Sequence, residues 1–320
     1  MARTSIIIVS YNSLRETTAP CLESIFAHGP EEDFEVIVVD NNSSDGTVAW
    51  LSELMEREPR LKCVFNDRNR GFAGGNNDGI RIASGEYLVL LNSDCLVSGD
   101  WIGGLTQPLE RDAGIGMTGP VSNSVGNEQK IFTSGATPEE IMNEGLAWTQ
   151  RSRGESFDTE MLIFFCVALR RDVVEKVGPL DENFGVGFYE DDDYCIRVRQ
   201  AGYRLVCVED VFVYHRGGGS FDGAGVATRK LMRENREKLA RKHASAHKRP
   251  HPRHLHLGVI EGYLDHAGGA ELSPDARYRI ANRLRVVKSL MPRGWIKRFM
   301  FRRLLGKLER RLKEIGFHSV

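Results

Sequence analysis

The chain has 320 residues, enough for one large or two modest domains with a substantial core. Its 43 Lys and Arg nearly balance 44 Asp and Glu, and the net charge of −1 gives no global electrostatic case for a nucleic-acid partner. Six scattered cysteines (Cys21, Cys63, Cys95, Cys166, Cys195, Cys207) show neither C-x-x-C pairing nor metal-ligand spacing, which predicts buried free thiols in a reducing cytosol.

In chain order, the first apolar run is Ser5–Val9. Its Ile6-Ile7-Ile8-Val9 core is too short for a secretory signal, and polar Ser10-Tyr11-Asn12 follows at once. Further strand-like runs are Phe34–Val39, Leu61–Phe65 and Tyr87–Leu91. Helix-like stretches lie between them at Leu14–Phe26, Thr47–Glu56 and Asn76–Ala83. Continuous apolar strands alternating with helices predict a parallel sheet covered on both faces. Ligands bind such sheets at the carboxyl ends of the strands, where Asp40 and Asp94 both fall.

From Gly119 the pattern loosens into loop-rich sequence as far as Gly154. An apolar strand over Met161–Leu169, a short helix Arg171–Val177 and a Gly178-Pro179-Leu180-Asp181 turn follow. The longest apolar run is this nine-residue one, far below the ~20 residues of a membrane span, so a soluble or peripheral protein is expected. Glu190-Asp191-Asp192-Asp193 opens a helix that runs through Gln200. Strands are expected at Tyr203–Val208 and Val211–His215, then a flexible Arg216–Ser220 segment, a charged helix over 228–243 and a linker over 244–257. The remainder is helical and basic.

Four carboxylates in a row are unfavourable unless a metal, a cation or a proton uses them, although acidic residues also favour a helix N-terminus. Asp94, past a buried strand, suits one hard divalent cation bridging a diphosphate. Asp40 is placed to accept hydrogen bonds from a nucleobase or ribose. Gly71-Phe72-Ala73-Gly74-Gly75-Asn76-Asn77 reads as a Gly-rich strand-to-helix turn open to close backbone approach. It matches neither the Walker pattern nor G-x-G-x-x-G.

Taken in order, Ile7-Ile8-Val9-Ser10-Tyr11-Asn12, Val39–Thr47, Asn69–Asn76, Leu91-Asn92-Ser93-Asp94, Glu190–Asp193 and Tyr214-His215 resemble family 2 glycosyltransferases, in the rhamnosyl- and galactofuranosyl-transferase-like branch. The likeness covers roughly residues 4–240. It implies a GT-A fold of the α/β class: a Rossmann-like nucleotide-binding half over 1–118 with a mixed central sheet, an acceptor half over 119–240, and a mainly helical basic extension over 241–320. It also implies inverting transfer from a nucleotide-diphospho-sugar, UDP- or dTDP-linked rather than GDP-linked, to a hydroxyl of a glycan or lipid-linked glycan.

Carried over residue by residue, Ser10, Tyr11, Asp40, Asn42, Gly71, Asn76 and Ser93 hold the nucleotide sugar. Asp94 and His215 hold Mg²⁺ or Mn²⁺, with Asn92 standing where many members carry the first Asp of the D-x-D motif. Asp191 matches the general base, while Glu190 and Asp192 face the acceptor. Like-charge neighbours would raise the pKa of Asp191 and make it a better base. Asp192 is the alternative base, and Asp193 is expected to cap the helix.

Residues 283–314 hold twelve Lys or Arg against two Glu, with Trp295, Ile296, Phe299, Met300, Leu304, Leu308 and Leu312 at helical spacing. Residues 283–315 therefore read either as a membrane-surface element at the inner face of the cytoplasmic membrane or as a stripe packed on the protein or a second subunit. The five histidines between His243 and His256 match no metal site. Rival functions are a non-catalytic glycan-binding scaffold on the same fold, or a sugar-phosphate nucleotidylyltransferase. The latter would need a basic Gly-rich loop where Ser10-Tyr11-Asn12-Ser13 stands.

Overall fold

The run Thr4–Ser10, apolar on both sides, becomes β1, an interior strand of an eight-stranded sheet. The computed structural model describes residues 2–29, 33–217, 225–243, 250–268 and 270–317. β2 (Phe34–Asp40) and β4 (Tyr87–Asn92) flank β1 in parallel, and β3 (Leu61–Phe65) extends this block to the edge. Ile6, Ile8, Val36, Val38 and Val89 enter one core cluster, whereas Ile7, Ile37, Val39, Leu88 and Leu90 enter the other. Alternate side chains thus bury on opposite faces, which is why these strands read as unbroken apolar runs.

A π turn at Leu14–Thr18 leads into α1 (Ala19–His28), which covers the first face together with α2 (Thr47–Arg57). α3 (Gly71–Ile82) lies on the second face and begins five residues before the expected start. The glycines are therefore not a turn but the body of the helix. A Cβ at Gly75 would meet Val9 at 2.8 Å and one at Gly79 would meet Ile7 at 2.4 Å, so their absence lets α3 lie directly on β1.

Beyond β4 the sheet changes sense. A two-residue strand β5 (Cys95–Leu96) and the helix α4 (Trp101–Arg111) lead into β6 (Ile115–Val121). The stretch expected to be loop then holds the helix α5 (Pro138–Gln150), and just past it comes the short edge strand β7 (Ser156–Thr159). Of the expected strand Met161–Leu169 only the second half is regular: β8 (Cys166–Arg170) runs antiparallel to both β4 and β6. α6 (Arg171–Val177) and α7 (Glu190–Gln200) stand where expected. The next two apolar runs merge into β9 (Arg204–Phe212), parallel to β6, followed by β10 (Tyr214–His215), which pairs with β5. The order β3-β2-β1-β4-β8-β6-β9-β7 makes the sheet mixed.

The charged helix is α8 (Gly225–Lys242). Residues 218–220 and 244–249 of the expected flexible and linker segments lie outside the described residues. The rest of that linker is partly helical, because α9 (Pro252–Ala267) starts inside it with Pro252 at its first position. α9, α10 (Pro274–Ser289) and α11 (Trp295–Glu314) share a core of Leu257, Ile260, Ile280, Leu284, Phe301, Leu305 and Leu308. The other face of α10 is tied to the sheet body. Asn282 exchanges two 2.8 Å hydrogen bonds with the Phe132 backbone, and Arg279 reaches the Arg151 carbonyl and Glu155.

The expected apolar stripe of α11 divides in two: Leu308 and Leu312 pack inward, whereas Trp295, Ile296, Phe299, Met300 and Leu304 face solvent. No helix among the described residues is long and apolar enough to cross a membrane.

Candidate active site

The carboxyl ends of β1 and β2 carry the first group of predicted residues. Ser10 is buried with Oγ 2.9 Å from Thr18 Oγ1, and Tyr11 is exposed. The two loops lace together: the Asn12 amide donates to Ser43 Oγ, the Ser44 amide to Asn12 Oδ1, and the Leu14 amide to Asp45. Asn12, Ser13 and Asn42 adopt left-handed backbone here, and these short polar side chains tolerate it. Asp40 is fully buried. Its Oδ1 accepts from the Ser43 amide while its Oδ2 has no partner among the described residues. A buried carboxylate oxygen with an unmet acceptor calls for a donor from outside the chain, such as a base N–H.

Gly71 and Asn76 are accounted for differently. Gly71 has φ +72°, and a Cβ there would strike the Gly185 carbonyl at 2.3 Å, so its surface is closed by the loop before α7. Asn76 turns back to the Phe72 carbonyl, within its own helix. The neighbouring Asn77, which carried no predicted role, pairs with both backbone groups of Leu180, at 2.9 and 3.0 Å. That exchange fastens α3 to the 180–185 loop.

At the end of β4, Asp94 and His215 converge, with Asp94 Oδ1 3.4 Å from His215 Nε2. Three contacts hold the imidazole. Its Nδ1–H donates to the Ser124 carbonyl at 2.7 Å, its ring stacks on Phe165 at 5.3 Å, and its backbone exchanges two hydrogen bonds with Asn123. Because a carbonyl only accepts, Nδ1 carries the proton and Nε2 presents its lone pair or a second proton toward Asp94. Burial disfavours the imidazolium, but the hydrogen bond and charge of Asp94 outweigh it and leave the pKa raised.

Cys95, opposite His215 in the β5–β10 ribbon, also lies close enough to share a cation. It is fully buried, turned to the Phe165 carbonyl, and kept as a neutral thiol because burial pushes its pKa well up. A carboxylate oxygen and an imidazole nitrogen, leaving room for diphosphate oxygens, fit Mn²⁺ or Mg²⁺ better than a thiolate site would. Asn92 ends β4, its backbone bonded to Phe165 and Cys21. Ser93 and Asp94 follow in the turn before β5.

The acidic run forms the first turn of α7, and the residues after it, Tyr194 and Cys195, touch the 162–165 segment that also meets His215. The Leu162 amide donates to Cys195 Sγ, Phe164 packs edge-on against Tyr194 at 5.9 Å, and Phe165 stacks on His215. Asp191 and Asp192 are both half-buried, and the Asp192 amide donates to Asp191 Oδ1 at 2.8 Å. Glu190 is buried with Oε2 unpartnered, and desolvation, helped by the Asp191 charge, raises its pKa to about 8. Burial thus favours its neutral form to higher pH than for an ordinary glutamate.

Asp193 is not a helix cap. Fully buried, it receives Arg197 Nε at 2.9 Å, Lys242 Nζ at 2.8 Å and His243 Nε2 at 2.7 Å, and so binds α7 to α8. The reason is position: the fourth residue of a helix points sideways, here at the C-terminal end of α8, rather than back at the free amides.

Sequence reasoning also missed Asn235, whose buried Nδ2 lies 2.7, 2.9 and 3.0 Å from the carbonyls of Phe184, Gly187 and Phe188. These belong to the loop in which Phe188 and Tyr189 take φ of +72° and +75°, just before Asp191. Such conformations cost of order 1–3 kcal/mol each and persist only when surroundings impose them. Asn235→Ala is expected to slow turnover about tenfold, since a lost buried hydrogen-bond partner costs about 1–3 kcal/mol. Donor-induced thermal stabilisation should stay unchanged. A kcat equal to wild type would remove this role.

A hollow of about 170 Å³ between α5 and α10, lined by Phe132, Glu144, Tyr278 and Arg285, includes none of the predicted site residues.

Comparison with known proteins adds three findings. The model of glycosyl transferase family 2 matches residues 5–178. The chain is 28% identical over 213 residues to glycosyltransferase AglE of Haloferax volcanii, which covers 66% of each protein. It spans only about a quarter of the length of two further curated relatives it matches. Among solved structures, S. aureus TarS 1-349 in complex with UDP-GlcNAc aligns at TM-score 0.56 and 16% identity, over 89% of this chain and 80% of that one. The mannosyltransferase PcManGT of Pyrobaculum calidifontis, in complex with GDP-Man and Mn²⁺, aligns at 0.54 and 21%, over 86% and 77%. At these identities the structural likeness speaks to the GT-A fold.

Proposed function

Because the chain belongs to glycosyl transferase family 2 and is a glycosyltransferase, we propose that it transfers a sugar, with inversion, from a nucleotide-diphospho-sugar to a hydroxyl of a glycan or lipid-linked glycan acceptor. Residues 1–118 form the donor half and 119–240 the acceptor half. The single observation that carries this reading is the Asp94–His215 pair, joined through Phe165 and Phe164 to α7, whose first turn carries Asp191.

Asp40 reads the base, a UDP- or dTDP-linked donor being favoured. Asp94 and His215 hold Mn²⁺ or Mg²⁺, which when bound stabilises the charge of the departing nucleoside diphosphate. Asp191 takes the acceptor hydroxyl proton as that oxygen bonds to the anomeric carbon and the bond to the diphosphate oxygen breaks. Lipid-linked acceptors would set the enzyme at the inner face of the cytoplasmic membrane, in the synthesis of cell-surface polysaccharide.

The test is melting temperature against UDP-, dTDP- and GDP-sugars with and without Mn²⁺. A donor at a hundred times its Kd stabilises the fold by about 2.7 kcal/mol. One donor class should raise the melting temperature in a Mn²⁺-dependent way, and Asp94→Ala should abolish the Mn²⁺ increment. An unchanged metal response in that variant would sink the assignment of Asp94, and silence toward every donor would sink the donor class.

A further inference from the structure

The exposed half of α11 has no counterpart elsewhere on the described surface. Trp295 is 79% exposed, Phe299 67%, Met300 65%, Ile296 55% and Leu304 39%. Other large exposed apolar side chains, such as Tyr11, Phe65 and Val186, are single positions scattered along the chain. At 3.6 residues per turn the exposed set centres on one side of the helix. Phe301, Leu305, Leu308 and Leu312, which hold the helix to α9 and α10, centre on the opposite side. Packing within the chain therefore explains the second set and leaves the first over.

The surrounding charge says what covers it. Arg293, Lys297, Arg298, Arg302, Arg303, Lys307 and Arg310 are all exposed, and none is in an ion pair among the described residues. Arg303, Lys307 and Arg310 continue the apolar face further along the helix. Glu309, one of the two acidic residues of α11, is 3.9 Å from Lys288. A second copy laid on this face would set Arg303, Lys307 and Arg310, with Lys297 and Arg302 at its margins, against their own kind. Nucleic acid would match the charge but leave five large apolar side chains in water. An anionic bilayer surface satisfies both, since Trp and Phe settle at the headgroup level while Lys and Arg meet lipid phosphates.

We propose that the Trp295–Leu304 face of α11 docks this protein in plane on an anionic membrane, with Trp295, Ile296, Phe299 and Met300 entering the headgroup layer. This docking is independent of sugar transfer, so its test stands whatever the donor proves to be. The full chain is floated with vesicles of phosphatidylglycerol plus phosphatidylcholine, and with phosphatidylcholine alone. Binding is expected only to the first and should weaken with salt.

Trp295→Ser with Phe299→Ser, and separately Arg303→Glu with Lys307→Glu, should each lower binding tenfold or more. Their melting should be unchanged, because all four side chains are exposed. Trp295 emission, taken as the difference between wild type and Trp295→Phe, should shift to the blue on the anionic vesicles. The proposal is overturned by equal binding to both vesicle types or to neither. It is equally overturned if both double variants bind like wild type, if light scattering finds a dimer that Trp295→Ser with Phe299→Ser dissociates, or if DNA is bound and the vesicles are not.

Discussion

Asp191→Asn is expected to lower the transfer rate by about 10²–10⁴-fold, the range for losing a positioned general base, with donor-induced stabilisation preserved. The amide keeps the volume and the hydrogen bond received from the Asp192 amide, so the loss would report proton acceptance and not folding. The neighbours supply the contrast. Burial, helped by the Asp191 charge, pushes the Glu190 pKa up to about 8 and favours its neutral form, which Glu190→Gln imitates, so that variant should stay active. The sign for stability follows: a carboxyl whose folded pKa exceeds its unfolded value stabilises most at low pH. That contribution is lost as pH rises through the ordinary glutamate range to about 8. Asp193→Asn should act differently, loosening α8 rather than removing a base. If Asp192→Asn abolishes transfer and Asp191→Asn does not, the base is Asp192.

The second large effect lies far from this chemistry. Arg283 and Glu209 are both fully buried and paired, in a setting of Trp148, Phe157 and Tyr263 rings. Arg283 also donates to the Glu128 carbonyl and the Tyr263 hydroxyl, both at 2.8 Å, and Tyr263 donates to Glu209. Arg283→Met would strand the Glu209 carboxylate without its cation. Breaking a buried pair by one partner costs about 3–5 kcal/mol. A loss of several degrees in melting temperature is expected, with partial recovery when Glu209→Leu is added, because an apolar pair removes the stranded charge. A single variant that melts like wild type would mean that α10 is not held through this pair. The same pair ties α10 to β9, so the C-terminal helices are fastened to the body that carries the sheet.

How much of this was legible follows from what each signal depends on. β1, β2 and β4 were visible because strands buried on both faces are apolar at every position. β6 was hidden because Gly116, Gly119 and Pro120 interrupt its pattern, and its neighbours in the sheet come from distant sequence. α5 was overlooked although Thr137 and Glu140 form a capping box that can be read from the chain. The acidic run marked the start of α7, but the separate duties of its members depend on Lys242, His243 and Asn235, whose distances from it no local pattern encodes. The Arg283–Glu209 pair runs against the rule that charges stay outside, so a sequence reading assigns it to the surface. The basic tail was legible as amphipathic but not as two-sided, since only packing separates Leu308 from Phe299.

Phe164 and Phe165 give the site a fixed gauge. Consecutive residues, their Cα atoms about 3.8 Å apart, they enter opposite core clusters, one ring meeting Tyr194 and the other His215. The rings that back Tyr194 and His215 are therefore coupled through one peptide unit, and under the proposed roles a shift of one would move the other. Under that reading the loop that Asn235 holds is the part left to vary with the acceptor. Evolution of acceptor range in such an enzyme would proceed by changing what hangs from the gauge, while the two phenylalanines stay in step.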